Sequence, residues 1–257
     1  MKMPVVFVGH GNPMNAIERN EFYRGWEALG RRLPKADAVL CISAHWETDG
    51  AWVSASESPP TIHDFYGFPK ALFDFRYPAP GDPRLARRVA ELVTTEHVRL
   101  DPGRGLDHGA WSVLSAMYPA AKTPIVQLSI DTRLPGSHHY ALARQLAPLR
   151  EERVLILGSG NMVHNLRLFS YEDTRPQAWA LQFDEELRRR IEARDHASLA
   201  DYASLGEPAR MAVPTPEHYL PLLYALALQE PGETAEFFNT RVVSAVSMTS
   251  VLIGGTA

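Results

Sequence analysis

Three short apolar runs, each leading into a histidine, limit what this chain can fold into more than any other feature. Val5-Val6-Phe7-Val8 leads into Gly9-His10-Gly11-Asn12-Pro13, and the run from Ala38 to Ala44 leads into His45-Trp46-Glu47. Val154-Leu155-Ile156-Leu157 passes through Gly158-Ser159-Gly160-Asn161 to His164. Unbroken aliphatic runs of this length read as strands buried on both faces, the pattern of a mostly parallel sheet covered by helices. Such sheets collect ligands at strand carboxyl ends, so three runs that end near histidines point to one shared pocket holding a metal.

The elements between these runs fit an α/β chain. Asn20 to Leu33 carries Phe22, Trp26, Leu29 and Leu33 at helical spacing, with Asn20 as cap and Pro34 as stop. Further helices are expected over Pro83–Glu96, Ala110–Tyr118 and Tyr140–Ala147, and around Trp179, Phe183, Leu187 and Ile191. Another is expected to open at Thr215, as cap, and to run through Leu226. Ala51–Ala55 reads as a strand neighbouring the second run, Pro124–Ile130 as a buried strand and Val242–Ile253 as a final strand. Pro59 to Pro83 interleaves six prolines with six aromatic residues, which excludes a long helix or a central strand. An ordered loop of that length is expected to be functional and to wall a pocket with its rings.

The 257 residues carry 26 basic against 30 acidic side chains, a formal charge of -4, with no long block of one sign. That balance gives no electrostatic footprint for nucleic acid or an acidic membrane and leaves a small molecule as the expected partner. Cys41 is the only cysteine, so a disulfide framework and a multi-cysteine zinc site are both excluded. No apolar run approaches the roughly 18 residues of a membrane span, and the first strand begins where a signal peptide would lie. A cytoplasmic protein with one domain over residues 1–257 is expected; nothing in the sequence sets its oligomeric state.

Ten histidines are available. His97, His138, His139 and His196 lie in polar or helix-edge surroundings and receive no role. His10, His45, His164 and His218 each lie where an element begins or ends, from which side chains converge, and are the expected metal ligands. Imidazole suits iron, zinc or copper, whereas magnesium and calcium take oxygen, and Glu217 offers a neighbouring carboxylate. The Asp107-His108 pair reads as an orienter behind the site or as an acid/base group, with the neighbouring carboxylate holding and tuning the imidazole, and His63 on the aromatic loop as a substrate contact.

Six ordered motifs then gain a joint meaning: Gly9-His10-Gly11-Asn12-Pro13, Ser43-Ala44-His45-Trp46-Glu47, His63-Asp64-Phe65-Tyr66-Gly67-Phe68-Pro69, Leu106-Asp107-His108-Gly109-Ala110-Trp111, Gly158-Ser159-Gly160-Asn161-Met162-Val163-His164-Asn165 and Thr215-Pro216-Glu217-His218. Together, over nearly the whole chain, they resemble the class III (LigB-like) extradiol ring-cleavage dioxygenases, in the 4,5-DOPA dioxygenase branch. The resemblance implies a three-layer αβα domain around a central mixed, mostly parallel sheet. It also implies oxygen-dependent opening of a catechol ring at a non-haem metal, Fe(II) for ring cleavage with Zn(II) possible in the same site. By motif, His10 and His45 are metal ligands, His164 is ligand or acid/base, and His218 is the further ligand with Glu217 as its alternative. His164 and then His108 are the expected proton carriers, with Trp46, Phe65, Tyr66 and Phe68 as flat walls for the ring. The rival reading is a zinc-dependent hydrolase with Glu217 or Glu47 as base.

Overall fold

In the computed structural model, which describes residues 2–255, ten strands form in chain order. They are β1 (Val5–Gly9), β2 (Ala38–Glu47), β3 (Trp52–Ser54), β4 (Arg99–Asp101), β5 (Ile125–Ile130), β6 (Val154–Gly160), β7 (Ala235–Phe238), β8 (Val242–Val243), β9 (Val246–Ser247) and β10 (Ser250–Ile253). Eight build one sheet in the order β4-β3-β5-β2-β6-β1-β10-β7, and β8 with β9 form a separate small hairpin. The centre, β5-β2-β6-β1, is parallel throughout, while β10 and β7 join antiparallel at one edge and β3 pairs antiparallel with β5 at the other.

Successive residues of a strand face opposite sides of the sheet, and here both sides are apolar. Val5 and Phe7 enter one core with Leu40, Ile42 and Ile156, beneath the helices Pro83–Leu92, Gly136–Arg144, Ala178–Glu192 and Leu220–Leu226. Val6 and Val8 enter the other with Val39, Cys41 and Leu157, beneath the helices Glu21–Arg32 and His108–Met117. The result is the expected three-layer αβα arrangement. Asn20 caps Glu21–Arg32 by accepting from the amides of Phe22 and Tyr23, and Asp107 caps His108–Met117 by accepting from Ala110.

Several expectations are corrected. Ala51–Ala55 contributes β3, yet β5 lies between it and β2, and the edge strand β4 had no apolar alternation to announce it. Val242–Ile253 is not one strand: Ser244 sits at φ 51°, which turns the chain into the β8–β9 hairpin before β10 begins. Thr215 caps no helix; its hydroxyl donates to Glu217, and the helix starts later, at Leu220. The aromatic segment is an ordered loop with one short helix, Lys70–Asp74, and it is stitched down by Tyr77, whose amide donates to Thr61 Oγ1 and whose hydroxyl bonds the Tyr118 carbonyl.

Candidate metal centre

The carboxyl ends of β1, β2 and β6 meet under one cavity of about 520 Å³, a size suited to a small molecule. His10 follows β1 directly, its amide still bonded to the Gly160 carbonyl of β6. His45 lies within β2, which runs on to Glu47, at a place where the pairing with β5 slips register between Ile42 and Glu47. Such irregularities re-aim side chains near sites. His218 is brought in from the far end of the chain because its carbonyl accepts the Asn161 amide at the end of β6. That approach needs glycine at position 160, where a Cβ would lie 2.0 Å from the His218 carbonyl oxygen. Gly109 is equally constrained, since a Cβ there would meet Ser43 Oγ at 2.5 Å and the His45 ring at 2.9 Å.

Three imidazoles converge. His10 Nε2 and His45 Nε2 lie 3.0 Å apart, and one nitrogen from each of His10, His45 and His218 falls within 4.8 Å of the others. Two imidazole nitrogens on one tetrahedral zinc, each at about 2.0–2.1 Å, would stand roughly 3.3 Å apart, so the pair is spaced for a shared cation. Hydrogen bonds select the free nitrogen. Ser159 Oγ donates to the Gly109 carbonyl at 2.6 Å, which commits its only proton, so it must accept from His10 Nδ1 at 3.0 Å and leave Nε2 with the lone pair. Glu217 Oε1 lies 3.0 Å from His218 Nδ1 and fixes that ring in the same sense. A carboxylate or hydroxyl behind each ligating histidine is the usual support of such a site.

The same histidines are poised in the neutral form a metal requires. Burial, reinforced by the other histidines, holds His10 and His218 well below the ordinary value of 6.5. His45 is lowered to about 4 by burial and then by His108, and His164 to about 4 by burial and then by His45 and His108. Free lone pairs at neutral pH make the group a fit for iron or zinc, metals that imidazole favours.

Two further histidines flank the triad. His108 packs against His45 with ring centroids 3.9 Å apart, and Asp64 accepts from both its amide and its Nδ1, each at 2.9 Å. Burial would raise the Asp64 carboxyl, but the hydrogen bond and charge of His108, with His45, carry it down to about 2. His164 stacks on His218 at 3.5 Å, nearly parallel at 12°, and its ring nitrogens have no hydrogen-bond partner among the described residues.

Other predicted residues lie elsewhere. Phe65, Tyr66 and Phe68 line the cavity, whereas Trp46 does not. Trp46 is buried beneath the Arg104 guanidinium, 4.9 Å above its ring, on the opposite side of β2 from His45. His63 also misses the cavity: its Nε2 faces the Phe75 carbonyl and the Arg76 guanidinium, and its ring packs beside Phe65 and Trp111. Asp107 does not orient His108; it is buried and accepts from Ser43, Arg104 and Gln127 as well as capping its helix. Glu47 is exposed and accepts from Thr132, Glu217 Oε1 faces Thr215 and His218, and neither residue lines the cavity, so neither carboxylate is placed to activate water there for the hydrolase reading. Ser159 and Asp64 are the residues that sequence reasoning missed. Both stood inside quoted motifs, but their roles depend on partners 149 and 44 positions away.

Comparison with known proteins agrees with this geometry. Residues 4–251 match the family described as the catalytic LigB subunit of aromatic ring-opening dioxygenase. The chain is 45% identical to a 4,5-DOPA dioxygenase extradiol of Escherichia coli K12, over 98% of this chain and 95% of that one. It is 39% identical to the protein of the same name from Beta vulgaris, over 91% and 89%. A crystal structure of an uncharacterized Escherichia coli K12 protein superposes with a TM-score of 0.86 at 40% identity, over 98% of this chain and all of that one.

Proposed function

Because the chain belongs to the LigB family of aromatic ring-opening dioxygenases, we propose that it opens the ring of a DOPA-like catechol with molecular oxygen at a metal held by His10, His45 and His218. The observation that carries this reading is the convergence of three imidazoles, two with Nδ1 tied back, on the floor of a cavity walled by aromatic rings. Ferrous iron bound there would supply the redox chemistry that joins catechol and oxygen; zinc would fill the same donors without it.

The chain's own groups have separable tasks. His164 takes a hydroxyl proton from the catechol: its ring nitrogens have no partner among the described residues, and its lowered basicity keeps it unprotonated near pH 7. His108 presents a fixed Nε2 because Asp64 holds its other nitrogen, so it orients the second hydroxyl. Phe65 and Phe68 offer flat apolar faces to the ring, and Tyr66 stands at the rim. Anaerobic reconstitution with ferrous iron, followed by oxygen uptake on a panel of catechols, tests the proposal. Uptake with a ring-opened yellow product is expected, and iron bound without uptake refutes it.

A further inference from the structure

Resting on that reading of the site, we infer that Glu18 sorts substrates by the charge of the ring substituent, favouring catechols that end in an ammonium over those that end in a carboxylate. A catechol with its hydroxyls at the histidine floor directs its substituent toward the cavity mouth. Two segments far apart in the chain line the cavity with apolar side chains, Phe65, Tyr66 and Phe68 from one and Leu166, Phe169 and Tyr171 from the other. Tyr66 and Tyr171 are 91% and 77% exposed, so these rings stand at the rim.

Apart from the histidines, Glu18 and Asp64 are the charged side chains of the lining, and among the described residues no lysine or arginine lines it. Asp64 is taken by His108. Glu18 is exposed, and its carboxylate has neither a hydrogen bond nor an ion pair among the described residues. Arg241, in the adjoining groove beyond Phe22, is already paired with Glu21. The Glu18 backbone is fixed to the metal-proximal turn: its amide donates to the Met14 carbonyl at 2.9 Å, and Asn15 of the same turn donates to the His10 carbonyl at 3.0 Å. A substituent leaving the floor therefore meets one unpaired carboxylate and, among the lining residues, no lysine or arginine.

For an exposed charge pair the effect is a preference of about two- to fivefold, weakened by salt. The test measures oxygen-uptake kcat/KM of the iron-reconstituted enzyme on dopamine, 4-methylcatechol and 3,4-dihydroxyphenylacetate, at low and high ionic strength. The expected order is amine over neutral over carboxylate, with the ratios compressed by salt. Glu18→Gln should bring the amine-to-carboxylate ratio down by about two- to fivefold, and Glu18→Lys should invert the order. A parent enzyme that prefers the carboxylate, or ratios unmoved in Glu18→Gln, overturns the inference and leaves the ring-opening reading standing. No uptake on any of the three catechols refutes that reading, and the inference with it.

Discussion

Ser159→Ala removes one hydroxyl, 0% exposed, that never reaches the cavity, yet it should weaken metal binding. That hydroxyl bridges the Gly109 carbonyl at 2.6 Å and His10 Nδ1 at 3.0 Å, so the substitution strands the buried Nδ1, while the Gly109 carbonyl keeps its place in the ladder of its helix. At about 1–3 kcal/mol for an unpaired buried group, the metal-free protein should lose stability of that order. The second consequence is specific to the site. With Nδ1 unheld, the His10 proton is free to move to Nε2, the nitrogen facing His45, and loss of such a support costs about 10–100-fold in metal affinity. Competition against a chromophoric chelator at neutral pH measures the affinity, and urea unfolding measures the stability. Ser129→Ala is the control: its hydroxyl is also buried, accepting from the Trp52 amide and bonding Thr48, so it should cost stability while leaving affinity unchanged. Unchanged affinity in Ser159→Ala, or an equal loss in Ser129→Ala, refutes the tautomer argument.

The flanking histidines should separate from the triad: His45→Ala should abolish metal retention, whereas His164→Ala should keep the metal and lose about 10²–10⁴ in turnover, read by metal analysis and oxygen uptake on the same samples. Loss of metal from His164→Ala would make His164 a ligand. Asp64→Asn should lower turnover more than metal content, because it removes the carboxylate behind His108 and leaves the triad in place; the reverse pattern would place Asp64 among the ligands. The metal-free protein should lose stability as pH falls from 6.5 to about 4, since the unfolded chain protonates its histidines first while His45 and His164 stay neutral until about 4. The slope is at most about 1.4 kcal/mol per pH unit for each histidine, and urea midpoints that stay flat across this window would contradict it.

The parts of the site legible in the sequence were those written in local chemistry. The apolar runs before His10 and His45 announced buried strands, and the structure does bury both faces of β1, Val5 and Phe7 in one core and Val6 and Val8 in the other. Trp46 misled because β2 does not stop at His45: when a strand continues, the next residue faces the opposite way, and Trp46 went beneath Arg104. The Asp107–His108 pairing misled for a related reason. Adjacency in sequence puts an N-cap and the first helical residue on different errands, and the carboxylate that reaches His108 comes from the aromatic loop. Gly160 was visible only as a glycine; that it admits the His218 backbone depends on a contact across 58 positions, which no local pattern encodes.

The most direct test of the account is the position of the metal, located by anomalous diffraction from crystals loaded anaerobically with ferrous iron. The expected result is one ion bonded to Nε2 of His10, His45 and His218 at about 2.0–2.2 Å, with Glu217 and Asp64 outside bonding distance. An ion seated instead among His45, Asp64 and His108, or among His164, Glu217 and His218, the two other groups whose donors lie within 4.8 Å of one another, would contradict it.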